Sequence, residues 1–257
     1  MVATIHDPIS AITDVVGIIE EDAVLSTKIL SMANSAYFAT PTEINNLTTA
    51  CSRLGMRALA NIANTMASAN QYRTTNPIAR KLMQSLWQHA IVTAHCAEAI
   101  ARKLKIETTT TFIAGLLHDI GKVVMVDVIT HKYTGPTGRL KESPDILAKA
   151  IEPFSSIVGL HVIQHWKLSP ELFFATLFAQ CPEIMPHEAC APEIHCVHLA
   201  SDIAEAKGYG IGNPDDFNLE NHPSLEALGF SQDELDDFIL GLDEMLDSVI
   251  GVLGSLE

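Results

Sequence analysis

The sequence predicts an all-α protein, and three observations carry that prediction. Apolar residues recur at the three- and four-residue spacing of a helix face along most of the 257 residues. No stretch alternates apolar and polar residues convincingly enough to predict a strand. Glycine and proline fall between the periodic segments, where helices are expected to begin and end.

The N-terminal part is predicted to hold four helices. Asp7 followed by Pro8 is typical of a helix start, and Asp22 is a suitable N-cap for the second helix. A third helix is expected to end at Gly55, and a fourth follows it directly. This arrangement could suggest a DNA-reading motif, but Arg57 is the sole basic residue of the fourth helix. Packing within a helical lobe is therefore favoured.

The middle of the chain is predicted to be a series of helices around one loop. A polar connector at 71–77 precedes a long helix over about 78–104. The loop covers 130–144, where glycine and proline cluster. The other predicted helices cover 109–119, a segment after Gly121, 145–152, 155–166, 170–179 and 193–207.

The C-terminal 50 residues carry most of the net charge. Residues 208–257 contain twelve Asp or Glu and no Lys or Arg, whereas the chain as a whole has a formal charge of −15. A phosphate backbone would be repelled there, so no nucleic-acid partner is expected. Ser231 and Glu234 form a capping box. A heptad seam follows it: Leu235, Ile239, Leu242, Leu246, Val249, Leu253. This pattern predicts one helix that packs on its own domain or forms a homodimer through 235–253.

Cysteine usage and the apolar runs indicate a cytoplasmic protein. The five cysteines include no Cys-x-x-Cys pair, which favours reduced thiols over a disulfide framework. No signal peptide opens the sequence. Apolar runs such as 172–179 are too short to cross a membrane, so no membrane partner is expected.

The stretch 112–122 carries the strongest chemical signal. An apolar run delivers His118 and Asp119, and Lys122 follows one turn later. Imidazole and carboxylate are good ligands for a catalytic divalent metal ion. Neighbouring residues on a helix point about 100° apart, so this pair alone cannot enclose an ion. A second His-Asp pair at His6 and Asp7 shows how little the dipeptide means without its surroundings.

His89, the His118–Asp119 pair and the distant Asp202 resemble the H…HD…D pattern of the HD-domain metal-dependent phosphohydrolases. Further motifs resemble the HDOD family within that superfamily: Asp22, 30–35, Phe38, 50–55, 87–101, 114–121, 158–159, 166–170 and 197–204. The resemblance implies two helical lobes, the second an HD-domain-like helical bundle. It divides the chain into an N-terminal lobe at 1–74, an HD-like lobe at 75–212 and an acidic segment at 213–257.

The resemblance also implies a site. His89, His118, Asp119 and Asp202 would bind one divalent ion, with Fe, Mn, Zn, Ni or Mg as candidates. Asp119 and Lys122 would take the catalytic roles, with the Lys122 ammonium meeting a phosphate charge. The alternative is a polar cluster in which these four residues hydrogen-bond to one another without metal.

The sequence departs from the relatives that bind two metal ions. Those relatives carry histidines where this chain has Ser155, Ser156, Ala179 and Gln180, and the segment 208–210 does not match their Gly-Tyr-Pro element. A two-metal phosphodiesterase is therefore not expected. The function predicted is signalling or regulation through protein partners or a phosphorylated small molecule. The alternative is a mononuclear metal-dependent phosphohydrolase acting on a nucleotide or another phosphoester.

Other histidines and cysteines give weaker signals. His161 and His165 have the four-residue spacing of helical metal ligands, but the glutamate of a zinc protease motif is missing. His95 lies about 240° around the helix from His89 and should miss its site. The cysteines and histidines of 181–198 fit no known zinc-binding spacing. All of these are interpreted as structural.

Overall fold

The computed structural model describes residues 12–38, 43–133, 144–185 and 192–256, and no strand occurs among them. The predicted all-α class is confirmed. Asp7, Pro8 and His6 lie outside the described residues. The helices are α1 Ile12–Glu20, α2 Ala23–Ala33, α3 Leu47–Tyr72, α4 Pro77–Leu104, α5 Thr108–Leu117, α6 Ile120–Tyr133, α7 Pro144–Ile151, α8 Ser155–His165, α9 Pro170–Phe178, α10 Pro192–Ala206, α11 Ser224–Leu228, α12 Gln232–Leu240 and α13 Asp243–Leu253.

The chain forms two compact units. One combines the N-terminal part, up to Asn70, with Gly241–Ser255, and the other contains Gln71–Leu240. The three-part domain division predicted from the sequence stays a prediction. The two compact units of the structure have other boundaries, after Asn70 and after Leu240. Part of the acidic segment belongs with the HD-like helices, and part with the N-terminal helices.

In the first unit, local sequence signals set the helix ends. The Asp22 carboxylate accepts hydrogen bonds from the amides of Val24 and Leu25, both at 3.0 Å, and so caps α2. Gly55 has φ of 74°, which breaks the helical path inside α3 where the sequence predicts a helix end. Helix α13 packs against α2, and the Lys28 ammonium donates to the carbonyl of Val252 at 2.6 Å.

Helix α4 is the centre of the second unit and packs against both α5 and α10. Its close approach to α5 depends on small residues, because a Cβ on Gly115 would stand 2.8 Å from the Cα of Ala94. That contact lies two residues before the end of α5. It therefore holds the residues that follow α5 against the buried face of α4 that carries His89.

A second close contact joins the start of α6 to α8. A Cβ on Gly121 would overlap the carbonyl oxygen of Ser155 and lie 2.5 Å from the amide nitrogen of Gly159. Both neighbours are backbone atoms and cannot move away as a side chain would. Gly121 is thus required by packing, two residues after Asp119.

Gly121→Ala is expected to lower the free energy of unfolding by about 3 kcal/mol, because the added methyl overlaps backbone. Urea denaturation followed by circular dichroism measures this. The matched control is Gly251→Ala in α13, where a Cβ meets nothing within 4 Å. There alanine is expected to stabilise the helix by up to about 1 kcal/mol. Equal effects at the two positions would contradict the packing of α6 on α8.

The acidic C-terminal seam does not form one helix. Turn residues Gly241 and Leu242 separate α12 from α13, and the two helices belong to different compact units. The prediction of a continuous helix over 235–253 is therefore wrong, since the heptad pattern carries no mark of the bend. Ser231 and Glu234 do form the capping box, with the Ser231 amide donating to Glu234 Oε2 at 3.0 Å. Leu235 and Leu246 are buried within the chain. A homodimer through this seam stays a prediction.

Among the described residues, the 20-residue stretch Ile146–His165 is long and apolar enough for a membrane span, with a mean hydropathy of 1.5 in an 18-residue window. This differs from the sequence-based expectation that the apolar runs are too short to cross a membrane. In the structure the stretch is interrupted by the 3-10 turn Glu152–Phe154, which divides it into α7 and α8. A single spanning helix is not what these residues form.

Candidate metal centre

Three of the four predicted ligands come together in the second unit. His89 projects from α4, His118 follows the last residue of α5, and Asp119 lies in the turn before α6. The Nε2 atoms of the two histidines are 3.2 Å apart. Asp119 Oδ2 lies 3.7 Å from Nε2 of His89 and 3.6 Å from Nε2 of His118. All three residues are buried, and together we call them the HHD cluster.

The backbone determines which nitrogen of each histidine carries the proton. His89 Nδ1 lies 2.8 Å from the carbonyl oxygen of Tyr209, and His118 Nδ1 lies 2.8 Å from that of Gly115. A carbonyl oxygen only accepts hydrogen bonds, so each Nδ1 must be the donor. In the neutral imidazoles both Nε2 atoms then present lone pairs, and these face each other.

Two facing lone pairs repel unless a cation or a shared proton stands between them, and the Ser201 hydroxyl, 3.3 Å from His89 Nε2, can donate a hydrogen bond to that atom. Two nitrogen ligands bound to one ion at about 2.1 Å lie about 3.0–3.4 Å apart, depending on the coordination geometry. The separation of the two Nε2 atoms is 3.2 Å, which is within that span. The HHD cluster therefore fits a divalent metal ion in both donor type and spacing.

Burial keeps His118 in the form that binds metal. Desolvation lowers the pKa of His118, Asp119 raises it and His89 lowers it again, and the net result is a pKa of about 4. The imidazole is therefore neutral at neutral pH, as a metal ligand must be. Metal binding through His118 is expected to be lost only in acid.

Asp119 is paired with a buried lysine. Lys122 Nζ lies 2.9 Å from Asp119 Oδ2 and 3.3 Å from Glu152 Oε1. Burial alone would raise the pKa of Asp119, but Lys122 and the two histidines hold it well below its usual range. Burial likewise opposes the charge on Lys122, but Asp119 and Glu152 raise its pKa. Asp119 thus stays ionised, and Lys122 stays an ammonium that supplies charge rather than accepting a proton.

The fourth predicted ligand, Asp202, lies in a different group. Its Oδ2 is 3.1 Å from His222 Nε2 and 4.0 Å from His198 Nε2. His198 and His195 both contact the hydroxyl of Ser224, at 2.9 Å and 3.1 Å. Sequence reasoning missed His222, because it lies in the segment that was set apart as the acidic tail. Its residue type is the one signal that marks it.

Tautomers distinguish this second group from the HHD cluster. The amide of Ser224 donates to His222 Nδ1 at 3.2 Å, so His222 Nε2 carries the proton and donates it to Asp202. His222 therefore has no lone pair left for a metal ion. The group of His198, Asp202 and His222 resembles a metal site in composition, but the lone pair of His222 already accepts the Ser224 amide.

Both groups border one cleft of about 680 Å³. Its charged lining residues are Lys122, Lys149, Glu152, Asp202, Glu205 and Asp216, so carboxylates outnumber lysines. Gln180 also lines it and donates to Asp119 Oδ1 at 3.5 Å. A phosphate would meet net negative charge in this cleft unless a bound cation offset it.

The comparison with protein families decides the identity of the fold. A family model for the HDOD domain matches residues 1–182. The chain belongs to the HDOD family. The match includes the HHD cluster and Lys122, while Asp202, Glu205 and His222 lie beyond it.

Similar proteins agree with this assignment. An uncharacterized protein of Treponema pallidum is 25% identical over 179 residues, which is 67% of this chain but 34% of that protein. The chain thus spans about a third of that relative's length. An HDOD domain protein of unknown function from Geobacter sulfurreducens is 22% identical, with a TM-score of 0.72 over 100% of this chain and 90% of that one. At 22% sequence identity, the similarity to this Geobacter sulfurreducens structure supports the fold alone.

Two further HDOD-like structures have names that bear on function. A candidate metal-dependent phosphohydrolase from Shewanella amazonensis is 20% identical, with a TM-score of 0.68 over 99% of this chain and 88% of that one. A candidate signal transduction protein from Marinobacter aquaeolei is also 20% identical, with a TM-score of 0.69 over 99% of this chain and 57% of that one.

Among the described residues, the remaining sequence candidates do not join the HHD cluster of this HDOD chain. His161 and His165 are exposed on α8. His195 and Cys196 are buried on α10, Cys181 is exposed, and His187 and Cys190 lie outside the described residues. His95 packs edge-on against Phe112, with ring centroids 5.1 Å apart.

The buried His95 makes the HDOD fold sensitive to acid. Burial and, to a smaller extent, the charge of Arg102 together lower the pKa of His95 to about 4. Between pH 6.5 and 4 the unfolded chain binds this proton and the folded chain does not, so stability falls as pH falls through that range. His95 alone is expected to cost about 2 kcal/mol between pH 7.5 and 5. Urea denaturation at both values should show a loss smaller by that amount in His95→Leu; an unchanged loss would contradict it.

Proposed function

We propose that this HDOD protein acts in bacterial signalling or regulation and binds a phosphorylated small molecule through one metal ion. His89, His118 and Asp119 hold that ion, with Fe, Mn, Zn, Ni or Mg as candidates. The observation that carries the proposal is the pair of Nε2 lone pairs facing each other at 3.2 Å beside an ionised carboxylate. The proposed location is the cytoplasm, and the proposed output is contact with signalling protein partners.

The surroundings of the HHD cluster support one ion rather than two. Gln180 presents amide hydrogens to Asp119 and Glu152, so its nitrogen acts as a donor and not as a ligand. In the second histidine group, the lone pair of His222 already accepts the amide of Ser224. The predicted participation of Asp202 as a fourth ligand stays a prediction, since here it accepts the proton of His222.

The names of two relatives agree with the two halves of this proposal. The Shewanella amazonensis protein is named for metal-dependent phosphohydrolysis, and the Marinobacter aquaeolei protein for signal transduction. The cleft supplies the space for a ligand of nucleotide size, and its excess of carboxylates makes phosphate binding depend on the metal ion.

A second candidate function is mononuclear phosphoester hydrolysis. A bound divalent ion would lower the pKa of a water molecule and polarise a phosphoryl oxygen. Lys122 favours this candidate function, because its ammonium lies 2.9 Å from Asp119, one of the proposed metal ligands. It could balance charge that develops on a phosphoryl group, although as a protonated lysine it cannot act as the general base.

Metal content and turnover separate these candidates. Elemental analysis of protein purified without added metal, and again after dialysis against Mn²⁺, is expected to show about one ion per chain. Inorganic phosphate is then titrated calorimetrically with and without Mn²⁺. Binding of phosphate that requires Mn²⁺, without hydrolysis of p-nitrophenyl phosphate, supports the regulatory function. Hydrolysis that is lost in His118→Gln supports the second candidate. No metal under either condition refutes both.

A further inference from the structure

The end of α10 contacts His89 on the side away from the HHD cluster. Gly208 has φ of 82°, and the chain reverses there. The Gly208 amide donates to the carbonyl of Glu205, and the Tyr209 amide to that of Ala204, each at 2.8 Å. This is a Schellman-type helix end, and it requires a left-handed residue that glycine adopts without strain. The reversal delivers the carbonyl of Tyr209 to Nδ1 of His89.

The segment after this reversal encloses a buried carboxylate. Glu205 accepts hydrogen bonds from the amides of Ile211 at 3.4 Å and Gly212 at 3.0 Å. A Cβ on Gly210 would overlap the carboxyl group of Glu205, and one on Gly212 would stand 3.0 Å from its Oε2. Glycine at these positions therefore allows 208–212 to wrap around Glu205. We call residues 208–212 the glycine loop.

Glu205 also places its charge beside His89. Its Oε1 lies 3.8 Å from His89 Nδ1, and its side chain is buried. A carboxylate near the N–H side of a ligating imidazole raises the basicity of the opposite nitrogen and so strengthens it as a donor to metal. The glycine loop fixes where that charge stands.

We infer that Glu205 and the glycine loop are positioning elements for His89. They keep the proton on its Nδ1 atom and direct its Nε2 lone pair toward His118 and Asp119. This inference deepens the proposed function and rests on it for the metal ion. The tautomer of His89 is a property of the metal-free protein and can be tested without any ion. Glu205 and the glycine loop lie beyond the 1–182 stretch that the family model matches, whereas His89 lies within it.

The test is two-bond ¹H–¹⁵N NMR of the imidazole rings in metal-free protein at pH 7.5, with His89 assigned by His89→Gln. The wild type is expected to show His89 protonated at Nδ1. Gly210→Ala changes no charged group but displaces the Glu205 carboxylate, and is expected to give a mixture of tautomers. Glu205→Gln keeps an oxygen acceptor for the loop amides and is expected to retain the Nδ1 proton. The matched control is Gly229→Ala, a glycine with φ of 60° whose Cβ would meet nothing within 4 Å.

Metal affinity provides the second readout, with Mn²⁺ binding followed by electron paramagnetic resonance. Gly210→Ala is expected to weaken Mn²⁺ binding by about 10–100-fold, and Glu205→Gln by about 10-fold, as for partners that touch a metal ligand. Gly229→Ala should leave it unchanged.

Two results would overturn the inference: a wild-type His89 protonated at Nε2, or a folded Gly210→Ala protein whose His89 tautomer equals that of the wild type. If the tautomers behave as expected but the wild type binds no Mn²⁺, the positioning role stands and the proposed function fails.

Discussion

Replacing His118 by glutamine is expected to weaken the binding of a divalent metal ion by about 100-fold or more, because the change removes one of three ligands rather than an outer partner. The HHD cluster offers two nitrogens and one oxygen, and the Nε2 atom of His118 lies 3.6 Å from Asp119 Oδ2. An amide oxygen is a weak substitute for an imidazole that burial keeps neutral. Mn²⁺ titration followed by electron paramagnetic resonance measures the loss.

His222→Gln is the matched control for this experiment. His222 is also a buried histidine of the second unit, and it also contacts an aspartate, at 3.1 Å. Its lone pair, however, already accepts the amide of Ser224. The control should bind Mn²⁺ within a few-fold of the wild type. Equal losses of Mn²⁺ affinity in both variants would contradict a metal site at the HHD cluster.

Removal of the Lys122 charge is expected to have the largest effect on stability. In Lys122→Met the carboxylate of Asp119 loses its ion-pair partner at 2.9 Å while both positions remain buried. Breaking a buried ion pair from one side typically costs about 3–5 kcal/mol, since the remaining charge is left desolvated. Urea denaturation should show a loss of that size. Saturating Mn²⁺ should restore part of it, because the ion supplies positive charge to Asp119 and binds only the folded chain.

Two further variants make the result specific. Lys149→Met changes an exposed lysine of the same cleft and is expected to alter stability by less than about 0.5 kcal/mol. Lys122→Met combined with Asp119→Asn removes both charges, so it should cost less than the sum of the single changes. An additive double variant would mean that the two side chains do not interact in the folded protein.

Most helix positions could be predicted because they depend on local signals. Asp22 caps α2, Gly55 interrupts α3, and Ser231 with Glu234 starts α12, as capping chemistry alone requires. The break between α12 and α13 could not be predicted, because apolar residues keep heptad spacing straight through the turn at 241–242. Periodicity reports which face is buried, but it does not report that two successive segments bury it in different units.

By itself the sequence determined the helical class and the family, and it indicated His89, His118, Asp119 and Lys122 as site candidates, because these depend on residue type, spacing and motif order. Only the tertiary structure decided which atoms meet. It placed Asp202 beside His222, and it brought Glu205 and the carbonyl of Tyr209 to His89. The physical reason is that a histidine binds metal through whichever nitrogen its neighbours leave unprotonated. Those neighbours are backbone groups and side chains as many as 120 residues away along the chain.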